Sequence, residues 1–293
     1  MSSTLTVENE TDDQARKWSA LQAAVEERSI GAALALFRLN GIEPILFKGA
    51  AVARNYPADK IRTSTDIDLA FSGADFDRAF QLAQGDGYKG LVLDIHREFK
   101  HLDTVDWDII VNRSQVIKIG DTEVTVPSDE DHLRILCVHW LVDGGYFRER
   151  LWDVYYAVQN RSADFDWSVC LDQVSADRRR WIICTIGLAH HYLQLDIDQL
   201  PFTDEAKRIP GWLLRAVERE WASGLRLMPI QQFAGQPSMF FRQIKKRLPP
   251  NPITATIDVE GSFDSKFRFH YQLGSMFKRL GPSIGKFRAY FSR

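Results

Sequence analysis

With 293 residues, 45% hydrophobic and 26% charged, the chain has room for one large domain or two ordinary ones, and a net charge of −2 excludes an overall pull toward long nucleic acids. No apolar run approaches the ~18 residues of a membrane-spanning helix, and the polar, acidic start MSSTLTVENETDDQ is unlike a signal peptide. Cys137, Cys170 and Cys184 are widely spaced with no CxxC pair, which argues against zinc ligation and predicts buried free thiols in a reducing cytoplasm.

Residues 1–10 are expected to be disordered. From 12 to 28 the apolar positions Ala15, Trp18, Leu21, Ala24 and Val25 recur at helical spacing. Ser29 is placed to cap a second helix that ends at Asn40-Gly41. Ile45-Leu46-Phe47 then reads as a short buried strand, and Ala50 to Tyr56 as a short helix stopped by Pro57. Thr65 to Phe71 alternates like a second strand, which puts Asp66 and Asp68 on one face about 6–7 Å apart. Two such carboxylates repel unless a cation, a proton or a nearby Lys or Arg compensates, and a hard divalent ion such as Mg2+ suits oxygen ligands and substrate phosphates together. Lys48 and Gly49, at the end of the neighbouring strand, are placed to meet those phosphates: lysine as a point charge, glycine by allowing close backbone approach.

The ordered set Phe47-Lys48-Gly49, Tyr56-Pro57, Arg62 and Asp66-Ile67-Asp68-Leu69 resembles a bacterial branch of uncharacterised nucleotidyltransferases within the DNA polymerase beta-like superfamily. The turn departs from the Gly-Ser of that superfamily and reads Lys48-Gly49-Ala50. The resemblance covers roughly residues 15–160. It implies an α/β (α+β) fold, with a small mixed β-sheet as nucleotidyltransferase core, N-terminal helices before it and a C-terminal helical domain after it. It also implies an NTP donor bound near Lys48, Gly49, Ala50 and Arg62. Mg2+, or alternatively Mn2+, would be held by Asp66, Asp68 and a third carboxylate that the family presents on a later strand, often in a pattern like DLH.

Gly73 to Gly85 is expected to be helical, with Phe76, Ala79, Phe80 and Leu82 inward. Residues 99–102 and 105–111 pair on paper as antiparallel strands about Asp103-Thr104. Asp106 and Asp108 then share a face, Asp106 being the preferred third ligand and Asp108 the alternate. Ile119 to Val126 reads as an edge hairpin turning at Asp121. Ser128 to Asp131 is a capping box, and from there the chain is mostly helical. This divides the chain into a core over 11–127, a helical domain over 128–228, and an irregular, proline-rich segment from 229 that leads to a basic and aromatic end. His139 and Asp153 match polar positions of the same family and read first as helix-to-helix partners. His190 and His191 diverge by about 100° on a helix and cannot readily chelate one metal.

Residues 265–293 hold Lys266, Arg268, Lys278, Arg279, Lys286, Arg288 and Arg293 among aromatics, with no Asp or Glu. Three readings stand: a helix docked through its aromatics with solvated charges, a peripheral contact with an anionic membrane, or an acidic or nucleic-acid partner. The expected function is transfer of an NMP group from an NTP to a hydroxyl of a small-molecule, sugar or peptide acceptor in a biosynthetic pathway. The alternatives are a non-catalytic nucleotide- and metal-binding module and a toxin-like protein AMP-transferase.

Overall fold

A computed structural model describes residues 2–225, 227–228, 230–233 and 235–279. The chain forms an α+β fold in two compact units, residues 1–135 with 160–173, and residues 136–159 with 174–293.

The first unit begins with one helix, α1 (Ser2–Leu39), where the sequence predicts a disordered start and two helices. Ser29 does not cap a new helix. Its hydroxyl bonds back to the Val25 carbonyl at 2.8 Å, the i−4 arrangement that keeps serine inside a helix. The sheet follows: β1 (Ile45–Leu46), β2 (Ile67–Phe71) and β3 (Leu93–Arg97), in spatial order β1-β2-β3. β1 runs antiparallel to β2 and β2 parallel to β3. The short helix α2 (Ala50–Ala53) leaves β1, and α3 (Phe76–Ala83) makes the crossover to β3. Phe80, predicted inward, is exposed on α3, while Ala79 takes the buried position.

Strand alternation sorts the sheet into two faces. Ile67, Leu69 and Phe71 pack with Leu46 against Ile30, Ala33, Leu34 and Phe37 of α1. The other face sets Ile45, Phe47 and Ala70 against Phe99, Leu102, Ile110 and Ile135. Asp68 lies between Ile67 and Leu69 and therefore shares this second face with Ala70.

The predicted strands over 99–102 and 105–111 are not strands. Lys100–Leu102 is a 3-10 turn, and α4 (Trp107–Arg113) is a helix with Asp106 as its N-cap residue and Asp108 in its first turn. Acidic groups at the positive end and Arg113 in the last turn complement the helix dipole. The amides of Ile109 and Ile110 close on the Asp106 carbonyl, and Ile110 is the side chain buried in the second cluster. The expected hairpin is present as β4 (Gln115–Ile119) and β5 (Thr122–Val126).

α5 (Asp129–Val142) starts at Ser128, whose Oγ accepts from the Asp131 amide at 3.3 Å. The cut between the units falls inside α5, beyond the expected boundary near Pro127. The early part of α5 is tied to the first unit by polar contacts, among them the Arg54–Asp129 ion pair at 2.9 Å. Asp131 holds Arg113 through two bonds of 2.5 and 2.7 Å, His132 Nε2–H donates to the Phe47 carbonyl at 2.8 Å, and Arg134 donates to Thr104 Oγ1 at 2.8 Å. Residues 160–173, with α7 (Trp167–Leu171), rejoin this unit after α6 (Leu151–Gln159).

The second unit is helical: α6, α8 (Ala176–Leu193), α9 (Thr203–Lys207), α10 (Gly211–Ser223), α11 (Pro237–Arg247) and α12 (Pro252–Asp258). The centre of α8, Trp181 to Ala189, is wholly buried. The segment from 229, predicted irregular from its prolines, contains α11 and α12. Pro237 and Pro252 stand at their first turns, where the missing N–H costs nothing. The three cysteines are buried. His139 and Arg150 lie 3.3 Å apart and both approach the Asp143 carboxylate, so His139 serves local pairing. His190 Nδ1 lies 2.7 Å from the Leu195 carbonyl, just past the end of α8.

Candidate active site

Parallel register decides what meets Asp68. In β2 and β3, Asp68 pairs with Asp94 and Ala70 with His96, so these side chains share the sheet face away from α1. Among the described residues, Asp68, Asp94 and His96 bring three ligand atoms within 4.8 Å of one another. His96 Nε2 lies 3.3 Å from Asp68 Oδ1 and 3.1 Å from Asp94 Oδ2, shared between two carboxylates. Lys48 Nζ reaches the same Asp68 Oδ1 at 2.6 Å. The Phe47 ring stands edge-on to His96 at 4.9 Å and carries the Lys48 ammonium over its face at 5.1 Å, so one aromatic orients both partners.

Asp68 is buried while Asp94 is about half exposed. Burial pushes the Asp68 carboxyl up, but the His96 hydrogen bond and the Lys48 charge outweigh it and hold the group below the usual carboxylate range. An ionised, buried carboxylate is thus held by two cationic or donor groups beside a solvent-facing second carboxylate.

The turn that follows β1 is organised by a residue with no sequence signal, Glu26 of α1. Its buried carboxylate accepts from the Ser64 amide at 2.9 Å and from the amide of Ala50, and it interacts with the charges of Arg62 and Asp66. Burial, joined by the Asp66 charge, raises its pKa against the two amides and Arg62. Glu26 therefore joins the 48–50 turn to the loop that precedes β2. Gly49 has φ +55°, and a Cβ there would lie 2.7 Å from Glu26 Oε1 and 3.0 Å from Ser64 Cβ. Glycine is required here first by the backbone and by Glu26, before any phosphate is considered. Gly49→Ala is expected to destabilise the protein by about 1–3 kcal/mol, read as a lowered urea midpoint at unchanged slope.

The predicted site residues are distributed as follows. Lys48 and Asp68 come together. Gly49 and Ala50 form the turn beneath Glu26, and the Ala50 amide is committed to that carboxylate. Arg62 donates to the Thr63 carbonyl at 2.7 Å and faces Glu26. Asp66 lies one residue before β2, accepts from Ser64 Oγ at 3.0 Å and is not part of the three-residue cluster. Asp106 and Asp108 sit at the start of α4, on no strand and outside the cluster. The carboxylate that faces Asp68 is Asp94. A sequence signal for it exists: Leu93-Asp94-Ile95-His96-Arg97 alternates, and Asp94-Ile95-His96 has the Asp-apolar-His form associated with the third ligand.

A family model described as uncharacterised nucleotidyltransferase matches residues 9–101, roughly a third of the chain. No curated protein and no solved structure matches the chain. Glu26, Lys48, Asp68, Asp94 and His96 all lie within the matched residues, whereas Asp106 and Asp108 lie beyond them; over 9–101 the chain is similar to the uncharacterised nucleotidyltransferases.

Proposed function

We propose that this protein is a metal-dependent nucleotidyltransferase that moves an NMP group from an NTP to a hydroxyl of a small-molecule, sugar or peptide acceptor. The carrying observation is the pairing of Asp68 with Asp94 on adjacent parallel strands, with Lys48 on Asp68, inside the segment similar to nucleotidyltransferases.

The donor set fits a divalent cation. Two carboxylates and an imidazole converge, and a cation, the Lys48 ammonium, already lies against Asp68. Asp68, Asp94 and His96 are the proposed ligands, with Asp66 retained as a further one two residues before Asp68. Mg2+ favours oxygen ligands, while imidazole suits Mn2+ and other transition ions better, so Mn2+ is expected to bind at least as well as Mg2+. When bound, the ion would stabilise charge on the triphosphate and lower the pKa of the acceptor hydroxyl. Lys48, relieved of Asp68, is then free to pair with a phosphate, and Arg62 borders the same turn. The acceptor oxygen forms a bond to the α-phosphorus, the bond to the β-phosphate oxygen breaks, and pyrophosphate leaves with that electron pair. Asp94, the exposed carboxylate, takes the hydroxyl proton.

The test is thermal stability against ATP, GTP, CTP and UTP, each with and without Mg2+ or Mn2+, for wild type and Asp68→Asn. A ligand specific to the native state stabilises by about 2.7 kcal/mol at a hundredfold excess over its Kd. The expected result is a shift that needs both metal and nucleotide and is lost in the variant. No shift with any pair would overturn the reading.

A further inference from the structure

The C-terminal part of the second unit faces the opposite way from the docked helix expected of it. Residues 269–279 are helical. The side that meets the unit is polar: buried Ser275 donates to the Asp258 carboxylate at 2.6 Å, the Tyr271 hydroxyl accepts from the Ser262 amide at 3.1 Å, and Gln272 donates to the Pro250 carbonyl at 2.7 Å. Arginines point inward too. Arg268 stacks on Trp212 at 4.3 Å and donates to the carbonyls of Ser262 and Phe263, and Arg279 pairs with Asp258 at 2.6 Å.

The outward side is apolar. Phe269, Leu273 and Phe277 recur at i, i+4 and i+8 and are 66%, 38% and 73% exposed; Phe267, just before them, is 75% exposed. On a helix that spacing makes a ridge about 12 Å long. Lys266 precedes the ridge and Lys278 lies at its far end, both exposed; the Lys278 ammonium donates to the Asp258 carbonyl at 2.6 Å, a neutral acceptor that leaves its charge in place. No acidic residue follows Asp264 in the sequence. Residues 280–293, which continue the basic and aromatic pattern, lie outside the described residues.

We propose that this ridge is a docking surface for an anionic lipid bilayer. A row of Phe and Leu side chains flanked by lysines suits the boundary between acyl chains and headgroups, where rings sit among the chains and the long lysine stems keep their charges at the phosphates. A nucleic-acid platform would pair ring faces with accessible guanidinium groups. Here Arg268 is stacked on Trp212 and Arg279 is neutralised by the Asp258 carboxylate, whereas Lys278 meets only the neutral Asp258 carbonyl, and Leu273 offers no stacking surface. No described helix is long and apolar enough to cross a membrane, so the contact is peripheral. The overall charge of −2 supplies no long-range attraction, which leaves the local basic segment to set the preference for anionic lipid.

The experiment is flotation of the full chain with vesicles of phosphatidylcholine alone or mixed with phosphatidylglycerol, at low and high salt. Phe269→Ser/Phe277→Ser and Lys266→Glu/Lys278→Glu are run beside wild type, with the thermal midpoint as a folding check. Wild type is expected to float with the anionic vesicles only, and each double variant to bind at least about tenfold more weakly. Absence of flotation, or flotation unchanged in the serine variant, would overturn the proposal. Capture of a single-stranded RNA without flotation would assign the surface to nucleic acid and overturn it equally.

Discussion

Asp94→Asn is expected to remove divalent-metal binding and nucleotidyl transfer, while Asp106→Asn leaves both unchanged. The two substitutions are chemically identical and differ in where the fold puts the carboxylate. Asp94 stands in register with Asp68 across two parallel strands and shares His96 with it, whereas Asp106 starts a helix outside the cluster. Changes to residues that merely orient a metal ligand cost ~10–100-fold in affinity, and a lost ligand costs at least as much. Titration of Mn2+ by calorimetry into wild type, Asp94→Asn, His96→Ala and Asp106→Asn measures this without knowledge of the acceptor. Asp68→Asn should lose the metal as well and also release Lys48. Because Asp94 is half exposed, its substitution leaves the fold intact, and any loss of binding is a property of the site. Metal binding that survives in Asp94→Asn and fails in Asp106→Asn would restore the ligand set expected from the sequence.

The reason Asp94 escaped the sequence reading lies in what makes a strand legible. β2 announces itself through Ile67, Leu69, Ala70 and Phe71, all buried, with one charge among them. β3 has apolar positions only at Leu93 and Ile95, neither fully buried, and its other three residues are polar. Its pattern is period two but its hydrophobicity is weak. Val105 to Val111 shows the reverse: β-branched residues and alternating aspartates suggest a strand, yet the acidic start, Arg113 at the end and the single buried Ile110 make α4. The meeting of Lys48 with Asp68 was legible because each residue is local to its strand. Glu26 was not, because its role comes from α1 crossing the 48–50 turn, a tertiary fact that one glutamate on a helix does not signal. The C-terminal segment was legible in composition and not in orientation. Tyr271, Ser275 and two arginines find partners on the second unit, and those polar contacts turn the phenylalanines outward.

Acidification is expected to weaken the fold through His132. This residue is 1% exposed on α5, its Nε2–H donates to the Phe47 carbonyl, and its Nδ1 has no hydrogen-bond partner among the described residues. Burial, reinforced by the charge of Arg54, pushes the imidazole down from 6.5 to about 3. The unfolded chain therefore takes up a proton below pH 6.5 that the folded chain refuses until about pH 3. Stability due to this group is complete above pH 6.5 and falls as the pH drops toward 3, by about 2 kcal/mol between pH 7 and pH 5. Urea melts at pH 7, 6 and 5 should show that loss in wild type and a flatter dependence in His132→Gln, which keeps a donor for Phe47 and removes the titration. The difference between the two curves isolates His132 from every group that the two proteins share. The consequence reaches the site, since Phe47 precedes Lys48 and its ring braces His96. When His132 is protonated by unfolding, the strand end that delivers Lys48 to Asp68 is released with it. Metal binding should therefore weaken with acid less steeply in His132→Gln than in wild type once the fold is marginal. Parallel curves for the two proteins would show that His132 is not the neutral buried imidazole on which this coupling depends.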